Sequence, residues 1–253
     1  MRPLFLITND DGVQSKGIGE LITIAREFGD VVVVAPDRPR SGKSNAITVE
    51  SPVYYQLISC DEGLSIYKCS GTPTDCVKLA LNQILDRKPD FLLSGVNHGS
   101  NAAINVIYSG TMGAVFEGCV NGIPSIGFSL CDHHLDANFS EAMSYFRRII
   151  AKVLQESLSD GVCLNVNAPT GPIAGVRVTQ QAKGYWTEEF DGRLSPHGKE
   201  YFWLTGHFFN QEPSNEKTDE WALSQGFVSI TPTRVDMTDY SSINKYKEYE
   251  EIR

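Results

Sequence analysis

Two adjacent aspartates, Asp10 and Asp11, follow an apolar run in the stretch LITNDDG and stand directly before a glycine. Like charges about 4 Å apart repel by roughly 1 kcal/mol in water and about 4 kcal/mol at an effective dielectric near 20. A pair at the end of a buried strand therefore needs a compensating partner. Three other stretches share its loop-like composition: APDRPRSGKSN (35–45), SGVNHGSN (94–101) and YSGTMGA (108–114). All are rich in Gly, Ser, Thr and Asn, and apart from Asp37 the three carry no acidic residue.

A divalent cation would offset the paired carboxylates. Mg²⁺ and Mn²⁺ prefer oxygen, typically one or two carboxylates with neutral oxygens, water and a substrate phosphate. Asp10 and Asp11 would supply the charge, with Ser41 Oγ and the Asn97 amide oxygen as neutral donors to one cation per subunit. The SGTMG run opens a helix, whose first N–H groups can face a phosphate. Cation and phosphate cradle together, with no hydride- or acyl-transfer apparatus, indicate phosphoester chemistry.

Each of these residues also has a purely structural role open to it. Asn, Asp and Gly are turn formers, so N-D-D-G alone describes a turn. Ser41 could simply cap its loop. GTPTDC (71–76) is read mainly as a helix start, with Thr72 as N-cap, Pro73 first and Asp75 third. His98 is taken as a surface loop residue and left out of the site; His133, His134 and His197 lack metal partners at useful spacing. Arg38, Arg40 and Lys43 suit either an anionic substrate or a solvated basic loop.

The elements that must position these loops alternate. PLFLI (3–7) and DVVVVA (30–35) read as strands flanking a helical GIGELITIAREFG. Helices over 74–87, 111–120 and 139–158 then alternate with strands over 90–96, 124–130 and 161–167. Strand–helix–strand units of this kind imply right-handed crossovers and a doubly wound, mostly parallel α/β sheet, with ligands at the carboxyl ends of its strands. Beyond about residue 170 the pattern becomes a β-hairpin arm, a polar loop (QEPSNEKTDEW), a return strand (226–235) and a charged helical tail. Trp186, Phe190, Phe202 and Trp203 of the arm suit an interface or the arm's own core better than base stacking. The expected organisation is a 1–135 α/β core carrying the metal site, with 136–253 adding a helix, a strand, the arm and the tail.

Composition narrows the function. A net charge of −9 and a pI near 5.1 argue against DNA or RNA duplexes as partners. The N-terminal apolar run is too short for a signal-peptide core, and no stretch nears the roughly 18 apolar residues of a membrane span. Six scattered cysteines without a C-x-x-C pair suit reduced thiols and a cytoplasmic address.

TNDDGVQSKGI, VVAPDRPRSGKSNAIT, GTPTDCVKLAL, PDFLLSGVNHGSN, YSGTMGAVFEG and the late GFVSITPTRVDMTDY together resemble the survival protein SurE family. The match covers roughly 4–130 and returns near 226–240. The resemblance implies a metal-dependent nucleotidase acting on nucleoside 5′-monophosphates, with 3′-monophosphates left open. It also implies metal ligands at Asp10, Asp11, Ser41 and Asn97, and Asn101, Ser109, Gly110 and Thr111 near the phosphate. A Rossmann-like fold follows from it, as does a homodimer or homotetramer built through the hairpin and an exchanged C-terminal segment. Asp10 or Asp11 would accept the proton of an attacking water. Two alternatives remain at this point: an aspartyl-phosphate route, which Asp-Asp instead of Asp-x-Asp disfavours, and a non-enzymatic nucleotide sensor with a structural cation. A dinucleotide fingerprint is absent after the first strand, which disfavours a dehydrogenase.

Overall fold

In a computed structural model that describes residues 2–134 and 136–252, β1 (Leu4–Thr8), α1 (Lys16–Phe28) and β2 (Asp30–Pro36) form the first crossover unit. β3 (Tyr55–Asp61), β4 (Leu64–Cys69) and α2 (Pro73–Leu79) follow. β5 (Phe91–His98), α3 (Gly110–Val120), β6 (Ser125–Leu130), α4 (Ser140–Glu156) and β7 (Val162–Ala168) complete the alternation. The C-terminal part holds β8 (Gly175–Val178), β9 (Gly184–Thr187), β10 (Phe190–Leu194), β11 (Glu200–Leu204) and β12 (His207–Asn210). α5 (Asp219–Ser224), β13 (Phe227–Arg234) and a 3₁₀ tail (Ile243–Glu251) end the chain.

Nine strands form one sheet in the order β3-β4-β2-β1-β5-β6-β7-β13-β8. Pairing is parallel from β4 through β7 and antiparallel at β3/β4 and β7/β13. Continuous apolar runs such as VVVV in β2 suit strands covered on both faces. One face is covered by α1 and α4, where Ile18, Leu21, Phe146 and Ile150 meet the sheet residues Phe5, Ile7 and Phe128. The other is covered by α2 and α3 through Val77, Met112, Val115 and Phe116. The sheet and the first of these cores run without a break from residues before 135 into those after it.

From β1 the chain builds outward to β2 and β4 on one side, and from β5 to β6 and β7 on the other. The order reverses between β1 and β5. Loops leaving the carboxyl ends of those two neighbours diverge to opposite faces of the sheet and leave a crevice, where open α/β sheets bind ligands.

Several local differences from the sequence expectations have physical causes. The helix expected over 74–87 is regular only to Leu79 and continues as a π-helical turn over Ala80–Ile84. GVRV (175–178), expected at the root of the arm, instead pairs parallel with β13 and forms a sheet edge. The β3–β4 hairpin was not foreseen; exposed residues along β3 blur its alternation. The tail is 3₁₀ and has no buried residue. Beyond the sheet, β9 pairs with β12 and β10 with β11, both antiparallel. The outer ladder leaves Phe190, Phe202 and Trp203 exposed, each above 60%.

GTPTD starts α2 as read, with a capping box between Thr72 and Asp75. It also anchors the long loop ahead of β3. Asp75 accepts from Thr48 N (3.0 Å) and Thr48 Oγ1 (2.6 Å) as well as from Thr72 N (2.9 Å). Thr72 Oγ1 donates to Ala46 O at 2.7 Å. Removing Asp75 strands the buried Thr72 N–H and two partly buried donors on Thr48. Asp75→Ala is expected to lower unfolding free energy by about 2–3 kcal/mol in urea melts. Lys78→Ala, which breaks only the partly exposed Lys78–Glu117 pair, should change it by less than about 1 kcal/mol. Equal effects of the two substitutions would refute an anchoring role for Asp75.

Candidate functional site

The NDDG segment is both a turn and a carboxylate platform. Asn9, fully buried, donates through Nδ2 to Gly12 O (3.0 Å) and Ser15 Oγ (2.7 Å), and its Oδ1 accepts from Gly12 N (3.2 Å). Gly12 sits at φ +98°, a conformation that side chains rarely adopt. Asn9 and Gly12 therefore make the turn, which leaves Asp10 and Asp11 at the mouth of the β1/β5 crevice. Val13 N donates to Pro36 O at 2.8 Å, tying this turn to the end of β2.

Asp10 is 4% exposed, and its Oδ1 accepts from Thr111 Oγ1 at 2.5 Å. Gly110 must be glycine here, because a Cβ would lie 2.8 Å from Asp10 Cβ and 3.1 Å from its Oδ2. Burial pushes the Asp10 carboxyl up to about 6; the Thr111 hydrogen bond opposes this and the Asp11 charge adds to it. Among the described residues no Lys or Arg pairs with Asp10 or Asp11.

Asp11 belongs to a different environment. Its Oδ2 lies 3.1 Å from both His98 N and His98 Nδ1. It borders an open cleft of about 540 Å³ with Lys16, Asp37, Arg38, His98 and His133. His98 is thus not a free surface residue: its side chain is only 12% exposed and touches the carboxylate pair. Its place directly after Asn97, at a strand end facing the N-D-D-G turn, was the available signal.

Ser41 follows Arg40, whose backbone N–H donates to Asp10 O at 2.7 Å. That bond brings the 37–41 loop to the pair, although Ser41 itself is exposed. The Arg40 guanidinium turns the other way, donating to Ser70 O and lying 3.7 Å from Asp37. Asn97 donates its amide N–H to Gly99 O at 2.8 Å, so its Oδ1 is the end left for another partner. Ser109 caps α3, its Oγ accepting from Met112 N at 3.0 Å. The Thr111 hydroxyl is occupied by Asp10, and the Thr111 backbone N–H also faces that carboxylate.

Asn101 is held by a closed ring of amides. Its N–H donates to Asn167 Oδ1 (2.8 Å), Asn167 Nδ2 to Asn165 Oδ1 (2.9 Å), and Asn165 Nδ2 back to Asn101 O (2.8 Å). The Asn101 side chain donates to Ser129 Oγ at 2.9 Å. Asn165 and Asn167 were missed in the sequence, although N-x-N puts both on one face of a strand end. Just beyond, Ala103 N donates to Asp219 Oδ2 (2.8 Å) and Trp186 Nε1 to Asn105 Oδ1 (2.8 Å).

The donor set around Asp10 and Asp11 fits Mg²⁺ or Mn²⁺. The two carboxylates offer hard oxygens of the kind both ions prefer, and Asn97 Oδ1, at the end of the neighbouring β5, is an uncommitted amide oxygen. Among the described residues neither carboxylate is ion-paired with a Lys or Arg, and Gly110 leaves space against Asp10 that a Cβ would fill. Among the described residues no three His, Cys, Asp or Glu side chains gather as a metal cluster, so neutral oxygens would have to complete the shell.

The family profile described as Survival protein SurE matches residues 5–188. A Bacteroides fragilis relative described as 5′-nucleotidase SurE is 57% identical over 250 residues, 98% of both chains. One from Bacteroides thetaiotaomicron with the same description is 55% identical over 251 residues, 98% of this chain and 96% of its own. The crystal structure of the SurE protein from Aquifex aeolicus superposes with a TM-score of 0.85 at 37% identity, over 98% of this chain and all of that one.

Because Asp10 holds its proton to higher pH when folded than when unfolded, its contribution is greatest below the unfolded value of 3.8. It is lost as pH rises through about 6. For EDTA-treated protein, denaturant melts between pH 4 and 7 are expected to lose on the order of 3 kcal/mol from this group. Asp10→Asn should flatten that part of the profile; an unchanged slope would place the titration elsewhere.

Proposed function

The chain belongs to the survival protein SurE family, and from that premise we propose that it is a divalent-metal-dependent phosphomonoesterase hydrolysing nucleoside 5′-monophosphates to nucleoside and phosphate. The observation that carries this is the Asp10/Asp11 pair, buried at Asp10 and bordering the cleft at Asp11, beside the N-terminus of α3. Cation ligands and phosphate donors then lie on adjacent loops.

Asp10, Asp11, Asn97 and Ser41 would hold one Mg²⁺ or Mn²⁺ per subunit, which when bound supplies Lewis-acid polarisation of the phosphoryl group. The Gly110 N–H at the start of α3 donates to a non-bridging phosphoryl oxygen, with the Thr111 N–H shared between the phosphate and Asp10. They sit at the positive end of the helix, where charge in the transition state is best held. Ser109 Oγ already accepts from Met112, which leaves its hydroxyl hydrogen to donate as well. Asn101 completes the cradle, its backbone fixed by Asn165 and Asn167. A carboxylate oxygen of the Asp10/Asp11 pair takes the proton from the attacking water. The nucleoside extends into the cleft beside Asp11, where Arg38 and Lys16 add positive charge.

The division at residue 135 is in this view one of roles. Residues 1–135 provide the cleft loops, whereas 136–253 brace Asn101 and carry the arm. Among the described residues no helix is long and apolar enough to cross a membrane. Together with six free thiols this supports a cytoplasmic setting. The exposed Phe190, Phe202 and Trp203 exceed what an isolated hairpin would leave in water. They support a homodimer or homotetramer built through the arm, to which an exchanged C-terminal segment would add. Light scattering at micromolar concentration should give that mass; a monomer would refute the assembly.

Phosphate release from nucleoside 5′-monophosphates should require added Mg²⁺ or Mn²⁺ and stop with EDTA. Asp10→Asn and Asp11→Asn should keep or slightly raise metal-free stability while losing nearly all turnover and the metal-induced rise in melting temperature. That rise corresponds to about 2.7 kcal/mol at a hundredfold excess over Kd. Full activity in EDTA, or a trapped phospho-aspartate, would overturn the mechanism.

A further inference from the structure

His98 ends β5 on the crevice side, and its role is not set by the phosphate or cation ligands named above. Its backbone N–H and its ring Nδ1 both lie 3.1 Å from one oxygen, Asp11 Oδ2. An ionised carboxylate oxygen only accepts, so the ring donates from Nδ1. The ring stands edge-on to Phe139, with centroids 5.1 Å apart at 84°. Phe139 is itself 1% exposed, so this wall is part of the core and does not yield. Ring Nε2 is buried without a hydrogen-bond partner among the described residues. Only Nδ1 therefore has polar work to do. Turning the ring over would set Cδ2 against Asp11 and lose the bond.

Asp10 and Asp11 are tied in complementary fashion. Thr111 occupies Oδ1 of Asp10, and His98 occupies Oδ2 of Asp11. Among the described residues no side chain donates to the other oxygen of either carboxylate. Without the ring only the His98 backbone N–H would hold Oδ2, and the Asp11 side chain, 18% exposed, could turn about its Cβ–Cγ bond or swing into the cleft that it borders.

We propose that His98 is a positioning residue for Asp11, whose Oδ2 it holds so that Oδ1 is the oxygen presented to the cation. This rests on Asp11 being a cation ligand. Residues that orient a ligand in this way typically change metal affinity by about 10–100-fold when removed.

The test compares H98N and H98Q. The Asn amide nitrogen can take the place of Nδ1, whereas the Gln amide lies where Nε2 was and cannot reach Asp11 in the same way. The probe is Mn²⁺ alone, titrated into EDTA-stripped and dialysed full-length protein and followed by the loss of the free-ion EPR signal. Melting of the metal-free proteins is measured alongside. H98Q should weaken Mn²⁺ binding about tenfold or more. H98N should stay within about threefold of wild type, given the retained donor. The metal-free melting temperatures of the two variants should be similar. Wild-type affinity in H98Q, or equal weakening in both variants, overturns the inference. D11N separates this from failure of the site itself. Lost Mn²⁺ affinity in D11N with wild-type affinity in H98Q sinks only the role of His98. Wild-type affinity in D11N sinks the assignment of Asp11 as ligand, and with it the inference.

Discussion

Burying a carboxylate beside a second carboxylate, with no Lys or Arg among the described residues paired to either, is the constraint on which the rest of this structure depends. Asp10 is 4% exposed, and its proton affinity is raised accordingly. The cost is tolerable only because it is confined to one turn at the end of a well-packed central strand. Phe5, Leu6 and Ile7 of that strand are fully buried. The parallel pairing of β1 with β2 and β5 holds the platform from both sides. A strand at the sheet edge could relax and let the pair drift into water, and the repulsion would then fall toward its aqueous value.

Loops rather than strands complete the site, and each one is tethered to something rigid. The 37–41 loop is bonded to Asp10 through Arg40 N. The chain that follows is fixed at Thr48 and Ala46 by the α2 capping box. The 99–103 loop is clamped by Asn165, Asn167 and Asp219. The last three come from the half of the chain that provides no proposed ligand. This explains why the sheet extends past β6: β7 and the segment before β13 hold in place what β5 and its loop present.

The sheet was legible because its signals are strong and local. Valine-rich strands, an amphipathic α1 and the Thr72–Pro73–Asp75 helix start all follow from short-range rules. The crevice was legible too, since alternation fixes where β1 and β5 end. Less regular features were not. β3 is an exposed edge without clean alternation, and the π-helical turn after Leu79 leaves the apolar spacing of 74–87 helix-like. Within the site, Asp10, Gly110 and Thr111 meet at the switch point where their sequence context placed them. His98, Asn165 and Asn167 act through partners distant in sequence, and one residue type in isolation does not reveal its partner. Thr111 illustrates the same limit: its type marks a donor, but only the fold reveals that Asp10 receives the hydroxyl.

The choice of positioning groups follows from the same electrostatics. The chain holds 22 Lys and Arg residues, yet the groups bonded to the two carboxylates are the hydroxyl of Thr111 and the ring and backbone of His98. Asn101 is fixed by amides, and the guanidinium of Arg40, whose backbone N–H bonds Asp10, is turned to Ser70 and Asp37. A lysine or arginine against Asp10 would relieve the repulsion more cheaply than any neutral donor. It would also neutralise the pair permanently and occupy the position a cation needs. A hydroxyl and a backbone N–H fix geometry without adding charge, so the metal-free protein keeps an electrostatic deficit at Asp10 that a divalent ion is suited to fill. The instability of the buried pair and its capacity to bind a cation are thus the same property.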